Sequence, residues 1–198
     1  MKVSVANERL VERPLSEIGR YAGACYGRGD ESCARAMRCW RDGHMSVFEH
    51  VSVTWHVEGI SRACSHQLVR HRLASYTQRS QRYAKQPVDP TGDDWYVRPP
   101  ALERDRMFGT VMTEAAQSYL DALDRDVRPE DARYMLPEAT KTSLYATMNL
   151  RELRHFHALR ADQRAQWEIR ELAEAMVDAL PRIGEWLDVR ALLKEDLR

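Results

Sequence analysis

Apolar residues occupy every second position from Val51 to Val57, and polar residues fill the positions between them. This period of two is typical of a strand with one buried and one solvated face. It is the clearest strand pattern in the chain, so the fold must include a sheet that contains this segment. Gly59 is expected to end the strand, because an isolated glycine interrupts a regular pattern.

Much of the remaining chain has apolar residues three or four positions apart, which is the spacing of a helix. One such stripe, from Ile60 to Leu68, predicts a helix directly after Gly59. Residues 71–87 show no sustained period and are expected to form a long functional loop. Behind two prolines at 99 and 100, a long amphipathic helix is predicted from a stripe of Met107, Val111, Ala115, Tyr119 and Leu123.

The other predicted elements complete a pattern in which strands and helices do not strictly alternate. They are strands at Val3–Ala6 and Thr140–Met148 and helical segments at Leu15–Tyr26, Glu31–Arg41, Pro129–Leu136, Leu150–Leu159 and Gln163–Leu180.

 This mixture of strands and helices predicts an α/β (α+β) fold, in which one compact domain spanning residues 1–198 has a small sheet flanked by helices. Trp167 is expected to belong to the core.

Charge and cysteine content narrow the classes of function. Thirty basic and thirty acidic side chains give a formal net charge of zero, so the overall field does not favour nucleic acid or membrane partners. The amino-terminal segment lacks the apolar run of a secretory signal, and a cytoplasmic location is expected. The four cysteines form no CxxC pair, which favours free thiols over a zinc site built from Cys25, Cys33 and Cys39.

The most informative region extends from His66 to Gln86, where arginines are interleaved with hydroxyl side chains. No acid occurs between Glu58 and Asp89. Such a cluster of cations repels itself unless anions lie against it, and the planar guanidinium suits phosphate or carboxylate. A solvated basic loop or a nucleic-acid site would explain the charge equally well. A second set of arginines mixed with acids favours discrete anion pockets instead: Arg151, Arg154, Arg160 and Arg164.

Residues 70–83 resemble the RHRxxSxxxxSxRY signature of the flavin-dependent thymidylate synthases. Three further blocks support the resemblance, namely GHMSVFEH at 43–50, the N-x-R at Asn149 to Arg151, and LRADQRAQWEI at 159–169. The resemblance implies an α/β fold assembled as a homotetramer with active sites shared between subunits. It also implies FAD as cofactor, NADPH as reductant, dUMP as substrate and 5,10-methylenetetrahydrofolate as methyl donor.

The resemblance implies a role for individual residues as well. Flavin contacts are expected from His44, Ser46, Glu49, Arg70, His71, Arg72, Gln78, Asn149, Arg151 and His155. Contacts to dUMP are expected from Gln67, Arg70, Gln78, Arg79, Ser80, Gln81, Arg82, Arg133 and Arg160. We expect Arg160 to be the catalytic residue, because a group that stays protonated can stabilise negative charge developing on the uracil ring. Ser80 has no evident base beside it and is expected to donate a hydrogen bond to dUMP.

The chain departs from the family pattern at three positions, where Gln78 replaces an acid, His155 an asparagine and Arg164 a histidine. Two alternatives to the synthase therefore stay open. One is a flavoprotein on the same scaffold that has lost synthase activity, and the other is a binding module for RNA or single-stranded DNA. A thymidylate synthase with a cysteine nucleophile is disfavoured, since none of the four cysteines has the surroundings of that family.

Overall fold

The computed structural model describes residues 1–7 and 9–195. Within them the chain forms four strands and eight α-helices, in the order β1 (Lys2–Val5), α1 (Pro14–Ala24), α2 (Cys33–Arg41), β2 (Ser52–Ser61), α3 (Arg62–Leu68), β3 (Ala74–Gln78), α4 (Arg106–Asp124), α5 (Pro129–Ala132), β4 (Lys141–Asn149), α6 (Leu150–Arg160), α7 (Trp167–Asp178) and α8 (Glu185–Glu195). Short 3-10 helices lie at Met45–His50, Pro100–Leu102 and Arg133–Met135. The predicted fold class, helices with a small sheet, is confirmed.

The four strands form one sheet in the order β1, β2, β4, β3. Strands β2 and β4 are antiparallel, because Leu150 N–H donates to Val51 O at 2.9 Å while Arg62 N–H donates to Thr140 O at 3.0 Å. Side chains along β4 alternate between buried and partly exposed positions, as a strand with one buried face requires. The buried set is Thr142, Leu144, Ala146 and Met148.

Contacts between residues divide the chain into two compact units, each assembled from several segments. The smaller unit comprises residue 1, residues 58–68 and residues 77–144, and the larger unit comprises residues 2–57, residues 69–76 and the chain from 145 onward. Neither unit is a continuous stretch of sequence. That residues 1–198 form a single domain stays a prediction.

The core of the larger unit combines the α1–α2 pair with the three carboxyl-terminal helices. Trp55 of β2 is fully buried, and its indole Nε1 donates to the carbonyl oxygen of Met176 in α7 at 2.9 Å. Helix α8 follows the last predicted element, and four of its side chains are buried: Trp186, Val189, Leu192 and Leu193. The periodicity analysis missed this helix. Trp167 is only partly buried at the start of α7, so its assignment to the core is wrong.

The smaller unit is organised around the long helix α4. Asp105 caps this helix by accepting hydrogen bonds from the N–H groups of Met107 and Phe108, so the helix begins at Arg106 and not at the prolines. The predicted apolar stripe is wrong in the amino-terminal half of the helix, since Met107 and Val111 are 68% and 46% exposed. The buried face is instead Met112, Ala116, Tyr119 and Ala122.

Two boundaries around the arginine-rich region also differ from prediction. Strand β2 does not end at Gly59 but continues to Ser61, and Gly59 lies within it at a φ of 74°, a conformation that glycine adopts without a steric penalty. The stretch 71–87 is not all loop, because residues Ala74–Gln78 form edge strand β3. Alternation in β3 is weak because its side chains are only partly buried or exposed. Among the described residues, no helix is long and apolar enough to cross a membrane.

Candidate active site

A buried histidine, His71, contacts several of the candidate site residues in the larger unit. His71 is 5% exposed and follows the end of α3 by three residues. Its Nδ1 lies 3.2 Å from Oε1 of Glu152, and its Nε2 lies 3.0 Å from Nε of Arg160. Both partners belong to α6, near its beginning and at its end. The ring also packs edge-on against Phe156, with 4.9 Å between ring centroids.

The surroundings of His71 keep its imidazole neutral. Burial lowers the pKa of His71 to about 4, and the charges of Arg160 and His155 act in the same direction. Burial also raises the pKa of Glu152, while His155 and Arg151 act in the opposite direction. The contact between His71 and Glu152 is therefore a hydrogen bond and not an ion pair with an imidazolium.

Arg70 and Arg72 flank His71 and are both exposed. Within residues 1–7 and 9–195, neither guanidinium forms an ion pair or a side-chain hydrogen bond. Two unpaired cations on either side of one buried residue match an anionic ligand with more than one phosphate. These residues thus fit the flavin dinucleotide that the sequence resemblance implies.

The other residues expected to contact flavin are also in the larger unit, apart from Gln78. His44 and Ser46 are exposed at the start of the 3-10 helix Met45–His50, and Glu49 in the same turn forms an ion pair with Arg151. Asn149 caps α6, since its Oδ1 accepts the N–H of Glu152 at 2.9 Å. The ring of His155 lies 5.8 Å from that of His71.

Arg160 lines a surface cavity of about 450 Å³ at the end of α6. The cavity also contains Asp162 and Arg164, whose side chains pair through two contacts of 2.9 and 3.0 Å. The hydrogen bonds from Arg164 lower the pKa of Asp162 to about 2. Arg160 itself uses only Nε for His71, so its charge is not cancelled by an acid among the described side chains.

Arg154, from the same arginine set, has a structural role. Its guanidinium lies over the Trp40 ring at 4.4 Å, and its Nη1 donates to the Trp40 carbonyl oxygen at 3.2 Å. The cation is therefore used to hold α6 against the end of α2. Of the four arginines in this set, Arg160 is the one that combines an uncancelled charge with a cavity.

Seven of the nine residues expected to bind dUMP are in the smaller unit, and four of these, residues 79–82, directly follow β3. Ser80 Oγ accepts the backbone N–H groups of Arg82 and Tyr83, at 3.0 and 3.2 Å. Because both bonds engage the oxygen, the hydroxyl proton stays available to donate to a ligand. The same bonds make the oxygen a poor nucleophile, in agreement with the expected role of Ser80.

Arg82 and Arg133 both contact Glu130 of α5. Arg82 Nε lies 2.6 Å from the Glu130 carboxylate, and Arg133 Nε donates to the Glu130 carbonyl oxygen at 3.0 Å. The hydrogen bond from Arg82 lowers the pKa of Glu130, so this carboxylate stays charged. Glu130 therefore holds both arginine side chains in place before any ligand is bound, Arg82 through its carboxylate and Arg133 through its carbonyl oxygen.

Gln81 and Arg133 line a cavity of about 350 Å³. Its other polar side chains include Arg62 and His66, which the sequence analysis did not assign to the site. Burial lowers the pKa of Arg62, and Arg133 contributes to the lowering, which shows that the two guanidinium groups are close enough to interact. Gln67 is partly buried in α3 beside His66.

Gln78 and Arg79 occupy the end of β3. The amide nitrogen of Gln78 donates to Ser65 Oγ at 2.9 Å and to Thr142 Oγ1 at 3.2 Å, so this side chain joins α3 to β4. A carboxylate at this position could not donate either bond. The glutamine that replaces the family's acid therefore forms two hydrogen bonds that the acid could not form. Arg79 is exposed and lines another cavity of about 420 Å³ together with Lys141 and Trp95.

Sequence reasoning did not identify Glu152. An asparagine followed three residues later by a glutamate is the pattern of a capping box at the start of a helix. Asn149 does cap α6, but the Glu152 carboxylate contacts His71, which lies 81 positions earlier in the chain. The four cysteines are free thiols, with Cys64 buried and Cys25 exposed.

Comparisons with known proteins show which family the chain resembles over most of its length. A model of the family described as thymidylate synthase complementing protein matches residues 7–183. The flavin-dependent thymidylate synthase of Pyrococcus furiosus is 45% identical over 156 residues, which cover 77% of this chain and 62% of that protein. The enzyme of the same name from Geobacter sulfurreducens is 50% identical over 140 residues, covering 68% of this chain and 59% of its own length. The chain thus spans about three fifths of the relatives that it matches.

A solved structure of similar fold is the flavin-dependent thymidylate synthase of Helicobacter pylori in complex with FAD and dUMP. It superposes with a TM-score of 0.82 over the full length of both chains, at 24% sequence identity. At this identity the likeness concerns the fold.

Proposed function

The chain belongs to the thymidylate synthase complementing protein family, and from this premise we propose that it is a flavin-dependent thymidylate synthase. Its reaction would be the reductive methylation of dUMP to dTMP, with 5,10-methylenetetrahydrofolate as carbon donor and NADPH as reductant. The observation that carries the proposal is the placement of Arg160. This arginine lines a cavity, contacts a neutral buried histidine and has no acidic partner among the described side chains.

We assign the binding of FAD to the exposed cations and the 3-10 turn of the larger unit. Arg70 and Arg72 have no acidic partner among the described side chains and would pair with the pyrophosphate. Residues 44–49 and Arg151 would contact the remainder of the cofactor. When bound and reduced by NADPH, FAD supplies the reducing equivalent for the reaction.

We assign the binding of the dUMP phosphate to the turn after β3. Ser80 has a hydroxyl proton free to donate, and Glu130 already fixes the guanidinium groups of Arg82 and Arg133 by a hydrogen bond to each. Preordering of this kind lowers the entropic cost of binding. Gln67, Arg70, Gln81 and Arg160 would complete the contacts to the nucleotide.

The role of Arg160 in the reaction is electrostatic. Carbon–carbon bond formation at the uracil ring places negative charge on the ring and its carbonyl oxygens, and a guanidinium aimed at them stabilises that charge. Since Arg160 remains protonated at any working pH, it needs no change of protonation state during the reaction. No cysteine is required as nucleophile in this mechanism.

A nucleic-acid module is less well supported by the distribution of charge. Several of the arginines are paired one by one with acids, as in Arg82 with Glu130, Arg151 with Glu49 and Arg164 with Asp162. Such pairing reduces the positive field that a phosphate backbone requires. A flavoprotein without synthase activity is a second candidate, favoured by the structural use of Gln78 at a position where the family has an acid.

The decisive experiment measures the visible spectrum of the purified chain and its formation of dTMP from dUMP, methylenetetrahydrofolate, NADPH and FAD. Flavin absorbance together with dTMP would support the synthase. Flavin absorbance without dTMP would favour the inactive flavoprotein, and neither signal, with tight and salt-sensitive RNA binding, would favour the nucleic-acid module.

A first prediction concerns Arg160. The variant Arg160→Ala should bind FAD like the wild type and lower kcat by about 100- to 1,000-fold, because it removes a donor to the developing charge. Arg160→Lys should rescue little of the loss, because an ammonium bonded to His71 lacks the two terminal nitrogens that a guanidinium extends beyond Nε toward the ligand. Arg182→Ala, which removes an exposed arginine elsewhere in the same unit, is the control. Loss of FAD with dUMP binding intact would show that Arg160 has been assigned to the wrong ligand.

A further inference from the structure

Glu152 is a buried carboxylate that the proposed reaction does not use. It is 3% exposed, and its Oε1 lies 3.2 Å from Nδ1 of His71. A buried acid is costly unless its charge or its proton is engaged in hydrogen bonds. The position of Glu152, between a helix cap and a histidine that contacts Arg160, indicates a role in the geometry of that arginine.

The positions of the protons follow from the partners. Nε of an arginine always carries a proton and can only donate, so Nε2 of His71, 3.0 Å away, must accept. A neutral imidazole then carries its single proton on Nδ1 and donates it to Glu152. One tautomer of His71 is compatible with both contacts, and Glu152 is the group that selects it.

The imidazole between the acid and the arginine has an electrostatic consequence. A carboxylate paired directly with Arg160 would cancel much of its charge, whereas a neutral ring accepts the Nε proton and leaves the charge in place. Four of the five guanidinium protons, those on the two terminal nitrogens, then remain for a ligand. The edge-on contact with Phe156 and the hydrogen bond from the Tyr76 hydroxyl to the His71 carbonyl oxygen, at 3.0 Å, restrict the ring and its backbone.

We propose that Glu152 is a positioning residue, which acts through His71 to orient the guanidinium of Arg160 toward the substrate. This inference rests on the proposed function for the identity of the substrate, but the arrangement of protons does not depend on it. Without an acceptor at Nδ1, His71 is free to place its proton on Nε2. Two donors would then face each other, and Arg160 would lose its support.

Two variants of nearly equal volume test the role of Glu152. Glu152→Gln keeps an acceptor for Nδ1–H without the charge, whereas Glu152→Met fills the space without an acceptor. The Gln variant should keep kcat within about threefold of the wild type, and the Met variant should lower kcat about 10- to 100-fold with little change in FAD affinity, the range typical of residues that orient a functional group.

A spectroscopic measurement separates positioning from general loss of structure. In the full chain labelled with ¹⁵N at its seven histidines, the wild type and the Gln variant should show His71 protonated at Nδ1. The Met variant should show a mixture of tautomers or protonation at Nε2, and a His71→Asn variant identifies the signal. These spectra do not require turnover.

The outcomes are distinguishable from a failure of the proposed function. A wild-type chain that makes no dTMP but has the Nδ1–H tautomer would overturn the function and leave the arrangement of protons in place. A wild type protonated at Nε2 would overturn the positioning role whatever the activity. The same holds for a folded Met variant that keeps wild-type kcat.

Discussion

At the scale of single residues, the contact between His71 and Arg160 is decided by protonation. A histidinium could not accept the Nε proton of Arg160, so the arrangement requires a neutral ring. Burial and the neighbouring cations supply this condition by lowering the pKa of His71 to about 4. The groups that face His71 are Glu152, His155, Arg160 and the hydroxyl of Tyr76.

A second prediction follows for stability against pH. Because the unfolded chain protonates this histidine near pH 6.5 and the folded chain only near pH 4, the unfolded state binds more protons between these values. The free energy of unfolding should therefore fall as the pH is lowered from about 6.5 to 4, by up to about 3 kcal/mol from this group. Above pH 6.5 the contribution is constant.

Denaturation of the wild type and of His71→Asn by urea at a series of pH values measures this contribution. The difference in free energy of unfolding between the wild type and His71→Asn should become smaller as the pH falls from about 6.5 to 4. The raised pKa of Glu152 acts in the opposite sense, since that group gains protons on folding, and the comparison of variants isolates His71. A difference that does not change from pH 7 to pH 4 would contradict the buried neutral imidazole.

At the scale of elements, one face of helix α6 carries the side chains that contact His71. Glu152, Phe156 and Arg160 recur every four residues, and this spacing places them in a row along a helix. All three contact His71. The position of the row depends on where the helix begins, which is set by the Asn149 cap directly after β4.

A third prediction tests whether Asn149 caps helix α6, contacts the flavin or does both. Asn149→Ala removes the cap and should lower the free energy of unfolding by about 1 kcal/mol. Asn149→Asp retains an acceptor for the N–H of Glu152 and should keep most of the stability. Thermal denaturation and FAD titration of both variants separate the roles. Weaker FAD binding by a fully stable Asp variant would support the flavin contact, and full FAD binding by both variants would limit Asn149 to the cap.

Contact between helices also restricts side-chain size in the larger unit. A Cβ atom on Gly19 of α1 would lie 1.8 Å from the carbonyl oxygen of Ser32, the residue that caps α2. This is far inside van der Waals contact with backbone, so the pair of helices requires glycine at this position. The helical spacing of α1 was visible in the sequence, whereas the approach of Ser32 was not.

At the scale of the whole molecule, the proposed ligand contacts are distributed over both units. The residues assigned to FAD are in the larger unit except for Gln78, and those assigned to dUMP are in the smaller unit except for Arg70 and Arg160. The homotetramer with shared active sites, implied by the sequence resemblance, stays a prediction. It requires that one active site take its residues from more than one copy of the chain.

A fourth prediction tests this sharing by mixing inactive variants. Arg82→Ala and Arg160→Ala should each lose most of the activity when assembled alone, since each removes a contact to dUMP. If one subunit supplies Arg82 and another supplies Arg160, mixed assemblies contain some sites with both residues intact, and activity should return after subunit exchange. Sedimentation should give a mass about four times the 23.0 kDa of one chain. Mixtures that stay inactive after proven exchange would place both residues in the same subunit.

Several features of the fold and site could be predicted because they depend on local pattern. The alternation at 51–57 and the helical stripes at 15–26 and 163–180 correspond to β2, α1 and α7, with shifts at the boundaries. The family was also predicted correctly from the signature at 70–83. These signals are strong because side-chain periodicity and spaced motifs are properties of the chain itself.

Other features could not be predicted because they depend on which distant segments of the chain pack against a helix or pair with a strand. Met107 and Val111 continue an apolar stripe in sequence, yet they are exposed, because α4 has its packing partners on the face of Met112 and Ala116. Strand β3 lacks a clear period because its side chains are at most half-buried, and its backbone pairing with β4 is what makes it a strand.

The amino-acid sequence by itself determined the family to which this protein belongs and the candidate groups for anion binding, which are guanidinium and hydroxyl side chains. Only the tertiary structure decided which arginine keeps its charge for a ligand. Glu152, His71 and Arg160 are separated by up to 89 positions, and the hydrogen bonds that link them exist only after burial has removed competing water. Charge and hydrogen-bonding capacity are properties of residues, whereas pKa values and orientation are properties of their surroundings.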